Sequence, residues 1–327
     1  MKSILNRLIE YQSLAKAEAK EILIRIGKGE FNEAQIASFI SIYMMRSITV
    51  DELDGFRLAL LELCKPIDFG GIPTTDMCGT GGDGKNTFNI STISSFVVAG
   101  AGVKVTKHGN YGVSSHCGSS NVMEHLGYQF TNDQDVLARQ LDTANICILH
   151  APLFHPAMAE VGPIRRMLGM KTFFNMLGPL VNPCLPTHQS VGVFNLELAR
   201  LYNYLLQGID KQFTIVHALD GYDEISLTGD TKVITNEKNT VLTSADFKAS
   251  VLNPEDLYGG ESVKEAADIF VKILSGGATK EQRSVVMANA GLAISNYKNI
   301  PLAQAIDEAG ESLDSGVAYQ KLKILIN

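Results

Sequence analysis

The chain lacks several features that would place it in a specialised class of protein. No two cysteines are spaced as C-x-x-C, and the five cysteines lie far apart, which argues against a zinc ribbon, a redox dithiol or a disulfide framework. No apolar run approaches the ~20 residues of a membrane span. Charged residues also interrupt the N-terminal segment 1–26, where a signal peptide needs an unbroken apolar core. We therefore expect a cytoplasmic protein with no membrane partner.

An excess of basic residues is also absent. Lysine and arginine number 28 against 35 aspartates and glutamates, so the formal net charge is −7. This balance disfavours a nucleic-acid partner, although it leaves room for a local basic pocket. Hydrophobic residues make up 45% of the chain and charged residues 19%, which is typical of a folded protein. The length of 327 residues predicts about two domains.

Hydrophobic periodicity predicts that the chain opens with a small helical unit. The first ~65 residues are expected to form four helices with no strand between them. The spacing of Ile36, Phe39 and Tyr43 is typical of a helix with one buried face. Thr49, followed three residues later by Glu52, predicts a capping box at the start of the fourth helix.

After Pro66, short apolar runs alternate with helical stretches, as they do in βαβ units. The fold class is therefore α/β: a small all-helical domain plus a larger α/β domain with a mostly parallel central sheet. The predicted strands are 75–78, 103–106, 145–149, 191–194 and 213–219. The predicted helices of this part are 92–101, 119–126, 136–143, 156–168, 196–207 and an amphipathic helix over 263–274.

A glycine-rich loop follows the first predicted strand. Parallel sheets bind ligands beyond the carboxyl ends of their strands, so this is where a site is expected. The segment 79–84 (GTGGDG) allows backbone N–H groups to approach an anion, and 89–92 (NIST) begins the next helix. The loop matches neither G-x-G-x-x-G nor the P-loop. Taken alone it is either a phosphate site or a tight turn in which Ser91 caps the helix.

A second polar loop follows the next predicted strand. Segment 107–115 (KHGNYGVSS), continuing to 118–120 (GSS), combines an ammonium, an amide and hydroxyls that suit phosphate and ribose oxygens. Two such loops in consecutive βα units favour a phosphorylated ligand. His108 alone is more often a structural residue than a base.

Acidic and basic side chains complete the candidate set. Asp223 and Glu224 follow the last predicted strand, and such a pair either binds Mg²⁺ that bridges to substrate phosphates or forms a solvated acidic turn. Arg165 and Arg166 are either a fork for a planar carboxylate or ordinary surface residues. The phosphate loops favour the metal interpretation of the acidic pair.

Together these residues resemble the anthranilate phosphoribosyltransferases of tryptophan biosynthesis, over essentially the whole chain. Three ordered segments carry the resemblance, and the acidic pair completes it. They are 79–92 (GTGGDGKNTFNIST), 107–127 (KHGNYGVSSHCGSSNVMEHLG) and 155–183 (HPAMAEVGPIRRMLGMKTFFNMLGPLVNP). The resemblance implies transfer of the phosphoribosyl group of phosphoribosyl pyrophosphate (PRPP) to the amino group of anthranilate, with release of pyrophosphate.

The resemblance also implies the domain organisation. A small helical domain would comprise 1–66 and 165–186. A large phosphoribosyl-binding α/β domain, similar to that of the pyrimidine nucleoside phosphorylases, would comprise 67–164 and 187–327. Homodimers are usual in this family, and anthranilate is expected between the two domains.

Site residues are transferred from the family by position. Magnesium is expected on Ser91, Asp223 and Glu224, and anthranilate on Gly79, Asn110 and Arg165. No general base is expected, and Gly79 and Lys107 would act electrostatically. PRPP is expected to contact Gly79, Gly82, Asp83, Thr87, Asn89, Ile90, Ser91, Thr92, Lys107, His108, Gly109, Asn110, Ser114, Ser115 and Ser119.

The sequence departs from the commonest family pattern at a few positions, and two other functions compete with the transferase. The departures leave every assigned ligand in place and lie at Tyr111, His116, Cys117, Asn121 and Lys171. A pyrimidine nucleoside phosphorylase would share the fold but would use free phosphate and a nucleoside. A non-catalytic nucleic-acid-binding relative would require a basic surface, which the net charge does not favour.

Overall fold

A computed structural model describes residues 1–112 and 117–327 and divides the chain into two compact units. The first unit comprises Met1–Ile67 and Ala151–Leu185, and the second comprises Asp68–His150 and Pro186–Asn327. The family resemblance implied a return to the helical unit at residue 165, whereas the structure assigns Ala151–Leu185 to this unit. The reason is local, because Phe154 O already accepts a hydrogen bond from Lys65 N at 2.8 Å.

Helices and strands over the described residues follow the predicted order. The α-helices are α1 (Lys2–Ile9), α2 (Lys16–Gly27), α3 (Glu33–Met45), α4 (Val50–Leu63), α5 (Ile90–Gly100), α6 (Ser119–His125), α7 (Gln134–Ala144), α8 (Ala151–Phe154), α9 (Met158–Leu168), α10 (Leu196–Gln207), α11 (Val263–Lys272), α12 (Lys280–Lys298), α13 (Leu302–Asp314) and α14 (Val317–Ile326). The strands are β1 (Thr75–Gly79), β2 (Val105–Gly109), β3 (Ile146–His150), β4 (His188–Gly192), β5 (Gln212–Ala218), β6 (Thr231–Thr235) and β7 (Asn239–Leu242). None of these helices combines the length and the apolar composition that crossing a membrane requires.

The helical unit packs around a cluster of aromatic rings. Phe56 stacks on Phe173 with ring centroids 4.8 Å apart, and Phe39 and Tyr43 meet both rings at steep angles. Such ring pairs add stability beyond the apolar area that they bury. The cluster joins the N-terminal helices to the returning segment, since Phe173 belongs to 151–185.

One fully buried carboxylate organises the N-terminal helices of this unit. The Glu52 side chain pairs with Arg46 and accepts hydrogen bonds from Tyr43 Oη at 3.0 Å and Leu14 N at 2.9 Å. The backbone N–H of Glu52 donates to the Thr49 hydroxyl at 3.2 Å. The last contact is the predicted capping box. Burial alone would raise the pKa of Glu52, but its hydrogen bonds outweigh burial and hold that pKa below its ordinary value.

The second unit is built on a seven-stranded sheet in the order β3-β2-β1-β4-β5-β6-β7. The five strands β1 to β5 are parallel, and all five were predicted from the sequence. The antiparallel hairpin of β6 and β7 was missed, because polar residues interrupt the short β6 and because β7 is mostly exposed, so neither shows the apolar run that marked the other strands.

The strand order places a topological switch point between β1 and β4. Strands β2 and β3 are added on one side of β1. Strand β4 then lies on the other side of β1, and β5, β6 and β7 follow it outwards. The loops after β1 and β4 therefore diverge and leave a crevice beyond the carboxyl ends of the strands. Helices α5 and α12 pack against each other beneath this edge and supply much of the buried apolar core.

Candidate active site

The glycine-rich loop leaves the sheet at Gly79, the last residue of β1. Gly81, Gly82 and Gly84 have φ values of +66°, +81° and +74°, a left-handed backbone that other residues rarely adopt. The turns bring the chain to Asn89, which stands at the N-cap of α5 without capping it through its side chain. The loop therefore presents backbone N–H groups and a helix N-terminus at the same edge.

The side chain of Asn89 links the first loop to the second. Its Nδ2 donates a hydrogen bond to Cys117 O at 3.1 Å. At the other end of the second loop, Asn110 O accepts hydrogen bonds from Ser119 Oγ at 3.3 Å and Ser120 N at 3.2 Å. The two predicted phosphate loops are therefore neighbours. Ser114 and Ser115, which were expected to bind phosphate, lie outside the described residues.

Lys107 and His108, at the end of β2, are both buried. Lys107 is 2% exposed, and its ammonium donates to Met77 O at 2.5 Å. The His108 backbone N–H donates to the carboxylate of Asp76, itself fully buried, at 3.1 Å. The next residue, Gly109, lies so close to Ser119 that a Cβ would stand 2.6 Å from its hydroxyl.

The remaining expected PRPP contacts lie along the first loop and the first turn of α5. Thr87 forms an isolated backbone bridge with Tyr258, and Asp83 accepts a hydrogen bond from Lys85 N at 3.0 Å. The side chains of Ile90 and Thr92 are buried, each 1% exposed.

The acidic pair lies directly against the glycine-rich loop. Asp223 Oδ2 accepts a hydrogen bond from Gly81 N at 2.7 Å. A Cβ on Gly79 would stand 2.2 Å from the same oxygen, and a Cβ on Gly192 would stand 1.5 Å from Asp223 O. Glycine is therefore required at the ends of β1 and β4 so that the acidic segment fits between them.

Burial raises the pKa of Asp223 well above its ordinary range, and the charges of Glu224 and Asp83 raise it further. Burial also raises the pKa of Glu224, to about 7, although the charge of Lys107 and hydrogen bonds from Ser91 oppose this rise. Two carboxylates that repel each other, Asp223 buried and Glu224 half-buried, form a place where a bound cation is favourable.

The side chain of Asn289, on α12, holds the backbone directly after the acidic pair. Its Oδ1 accepts from Ile225 N at 3.1 Å, and its Nδ2 donates to Ile225 O at 2.9 Å. Sequence reasoning missed this residue. A single buried asparagine within the apolar run 285–294 (VVMANAGLAI) was the signal that could have found it.

Arg165 lies in the helical unit, on α9. Its guanidinium stands 5.3 Å from the centre of the Phe174 ring and donates to Asn175 Oδ1 at 3.3 Å. Among the described residues no carboxylate forms an ion pair with it, and burial lowers its pKa. The neighbouring Arg166 is exposed. Arg165 is thus a half-buried cation whose charge no carboxylate of the described residues neutralises.

The positions that depart from the family pattern make local contacts. Tyr111 donates through its hydroxyl to Glu124 at 3.1 Å and packs edge-on against His150. Asn121 Oδ1 accepts from both Gly112 N and Gly118 N at 3.0 Å. Burial raises the pKa of Cys117 to about 11, and Lys171 lies in the helical unit. His116 lies outside the described residues.

Comparison with known proteins agrees with this geometry along the whole chain. A model of the glycosyl transferase family helical bundle domain matches residues 2–64, and a model of the glycosyl transferase family a/b domain matches residues 72–319. An anthranilate phosphoribosyltransferase of Flavobacterium psychrophilum is 59% identical over 325 residues, which cover 99% of this chain and 98% of the relative. The chain belongs to the anthranilate phosphoribosyltransferase family.

Relatives and solved structures agree on this family. The enzyme of Bacteroides thetaiotaomicron is 50% identical and is matched over 100% of this chain and 98% of its own length. A crystal structure of the Thermus thermophilus anthranilate phosphoribosyltransferase superposes with a TM-score of 0.92 at 30% identity, over 98% of both chains. The Saccharomyces cerevisiae enzyme in complex with PRPP and Mg superposes with a TM-score of 0.91 at 26% identity, over 99% of this chain and 96% of that one.

The comparisons decide between the functions that the sequence left in competition. The protein is a glycosyltransferase with anthranilate phosphoribosyltransferase activity and acts in tryptophan biosynthesis. It shares its wider family with the pyrimidine nucleoside phosphorylases, as the predicted fold implied. The transferase prediction is confirmed over the phosphorylase and nucleic-acid-binding alternatives.

Proposed function

We propose that the edge of the sheet formed by the first loop, the second loop and the acidic pair binds PRPP together with Mg²⁺. The observation that carries this proposal is the hydrogen bond of 2.7 Å between Gly81 N and Asp223 Oδ2, which joins the anion-binding loop to the acidic segment at the switch point of the sheet. Phosphate and metal would then be held side by side.

The acidic pair, in which Asp223 is buried and Glu224 half-buried, fits a Mg²⁺ ion shared with the substrate. Among the described residues no three histidine, cysteine, aspartate or glutamate side chains converge on one point. Mg²⁺ is usually held by one or two carboxylates together with substrate phosphates and water, so a pair of carboxylates suffices. We assign Asp223, Glu224 and the Ser91 hydroxyl to this ion. When bound, it would neutralise the charge of the departing pyrophosphate.

The chain's own groups would bind PRPP mainly through the backbone. We assign the pyrophosphate to the N–H groups of the first loop and of the start of α5, where the aligned peptide dipoles favour negative charge. Lys107 is already paired with Met77 O and lies near Glu224, so its charge would act at the base of the site. The other PRPP contacts are assigned to Gly79, Gly82, Asp83, Thr87, Asn89, Ile90, Thr92, His108, Gly109, Asn110, Ser114, Ser115 and Ser119.

Anthranilate would be held by its carboxylate, and its amine would attack the ribose carbon from which pyrophosphate departs. We assign the carboxylate to Arg165, which has no acidic partner among the described residues, and the rest of the ring to Gly79 and Asn110. An arylamine is neutral near pH 7, so no base is needed before attack, and His108 is assigned no proton transfer. Catalysis would come from orienting the amine and from stabilising charge on the leaving group.

We also propose that the protein is a homodimer, as its family resemblance implies. Exposed apolar side chains on the N-terminal helical unit support this, since Ile9 is 63%, Tyr11 76% and Met45 82% exposed. Light scattering coupled to gel filtration should give twice the mass of 35.5 kDa. A mass of one chain at micromolar concentration would contradict the proposal.

The experiment that tests the metal site follows the loss of anthranilate fluorescence in the presence of PRPP and Mg²⁺. Replacing Asp223 and Glu224 together with alanine should raise the Mg²⁺ requirement and lower turnover. The control is Asp230→Ala, an exposed carboxylate between β5 and β6. Unchanged metal dependence in the double variant would contradict the assignment.

A separate assay tests the phosphorylase alternative: phosphorolysis of thymidine or uridine by this protein should be absent.

A further inference from the structure

Asn289 is a buried amide that contacts the acidic segment from beneath. It is 6% exposed and lies on α12 among apolar side chains. Besides its two bonds to Ile225, its Nδ2 donates to Val285 O at 2.9 Å within the helix. A buried amide is costly unless its hydrogen bonds are made, and here the carbonyl oxygen and both donor positions of the amide are used.

The amide replaces the strand pairing that the acidic segment lacks. Residues 221–230 form neither helix nor strand, so the Ile225 N–H and C=O have no ladder partner. Asn289 satisfies both groups, as a neighbouring strand would. Because Ile225 directly follows Glu224, this contact fixes the backbone from which the glutamate side chain extends.

The opposite side of the segment is fixed independently. The backbone of Asp223 lies against Gly192, and its carboxylate accepts from Gly81 N. The acidic pair is thus held between the ends of β1 and β4 on one side and α12 on the other. Asn289 is the contact on the α12 side.

We propose that Asn289 is a positioning residue that sets the Mg²⁺ requirement of PRPP binding by fixing the backbone of the acidic pair. The inference rests on the proposed metal role of Asp223 and Glu224. Residues that orient metal ligands through hydrogen bonds typically change metal affinity about 10- to 100-fold when they are replaced. A merely structural asparagine would lower thermal stability and leave the metal requirement unchanged.

The test measures PRPP binding by isothermal titration calorimetry over a series of Mg²⁺ concentrations. Asn289→Leu keeps the approximate volume and removes all three hydrogen bonds. It should raise the Mg²⁺ concentration for half-maximal PRPP binding by about tenfold. The matched control is Asn296→Leu on the same helix, because the Asn296 Nδ2 has no hydrogen-bond partner in the described part of the chain. This control should leave the requirement unchanged.

A second variant covers the case in which Asn289→Leu does not fold. Asn289→Ala removes the same hydrogen bonds without introducing a bulky apolar side chain or a new charge, so it should shift the Mg²⁺ requirement in the same direction. A folded Asn289 variant with wild-type Mg²⁺ dependence, or an equal shift in Asn296→Leu, would overturn the inference.

Parallel measurements on Asp223→Asn and Glu224→Gln separate the two proposals. If these raise the Mg²⁺ requirement and the Asn289 variants do not, the inference on Asn289 fails alone. If neither carboxylate substitution changes the requirement, the metal role itself is refuted and the role of Asn289 falls with it.

Discussion

Replacing Gly79 with alanine should disable the acidic pair while leaving the fold in place. The φ of Gly79 is not in the left-handed region, so an alanine backbone is acceptable there. The obstacle is space, because a Cβ would stand 2.2 Å from Asp223 Oδ2 and 2.9 Å from Asp223 Cγ, against an ordinary contact of at least 3.4 Å. The carboxylate oxygen must therefore retreat by more than an ångström and lose its bond to Gly81 N.

The magnitude follows from the bond that is lost. A hydrogen bond to a charged group contributes about 1.5 to 3 kcal/mol. Its loss corresponds to a fall of roughly 10- to 150-fold in kcat/KM for PRPP at limiting Mg²⁺. Excess Mg²⁺ should recover part of the activity, because a displaced carboxylate weakens the site without removing the ligand.

The assay for Gly79→Ala is the initial rate of anthranilate fluorescence loss at a series of Mg²⁺ concentrations, with a thermal melt to show that the protein is folded. Gly208→Ala is the control, since Gly208 lies in the same unit and a Cβ there meets only Leu205 O, at 3.4 Å. A folded Gly79→Ala protein with wild-type Mg²⁺ dependence would refute the reasoning.

Three further substitutions test other parts of the account. Arg165→Ala should raise the KM for anthranilate roughly 10- to 100-fold and leave the KM for PRPP nearly unchanged. The control Arg166→Ala should alter neither KM. Equal effects of Arg165→Ala on both KM values would contradict the assignment of Arg165 to the anthranilate carboxylate. Glu52→Gln should lower the free energy of unfolding by roughly 3 kcal/mol at pH 7. That difference should shrink as the pH falls below about 4.3, because a carboxylate with a lowered pKa stabilises the fold above its unfolded pKa and loses this effect as it protonates. Urea titrations at several pH values measure the difference in unfolding free energy. A difference that stays constant with pH would contradict the role of the Glu52 carboxylate. Tyr111→Phe removes only the exposed hydrogen bond from the Tyr111 hydroxyl to Glu124, so kcat/KM for PRPP should change by less than about threefold. A larger loss in the same rate assay would show that the hydroxyl acts in catalysis.

Local signals in the sequence were enough to predict the glycine-rich loop, the second polar loop and the strands before them. Gly81, Gly82 and Gly84 mark positions where only a left-handed backbone fits, and such a requirement is visible without any tertiary contact. The buried parallel strands are likewise visible as short apolar runs. The capping box of Thr49 and Glu52 was predicted for the same reason, since both partners lie on one helical turn.

Features that depend on distant residues could not be predicted. Asn289 contacts Ile225 across 64 positions, and no local pattern connects them. The requirement for glycine at Gly192 arises from Asp223 O, which the pairing of β4 with β5 brings close to it in the folded chain. The return to the helical unit at residue 165 was taken from the family resemblance, and helix α8 is too short to show a periodic pattern of its own.

The most direct test of the central claim is a crystal structure of this protein grown with PRPP and Mg²⁺. The account predicts a Mg²⁺ ion about 2.1 Å from a carboxylate oxygen of Asp223 or Glu224, with pyrophosphate oxygens against the backbone N–H groups of 79–92. A Mg²⁺ ion held by pyrophosphate and water alone, with both carboxylates out of reach of the ion, would contradict it.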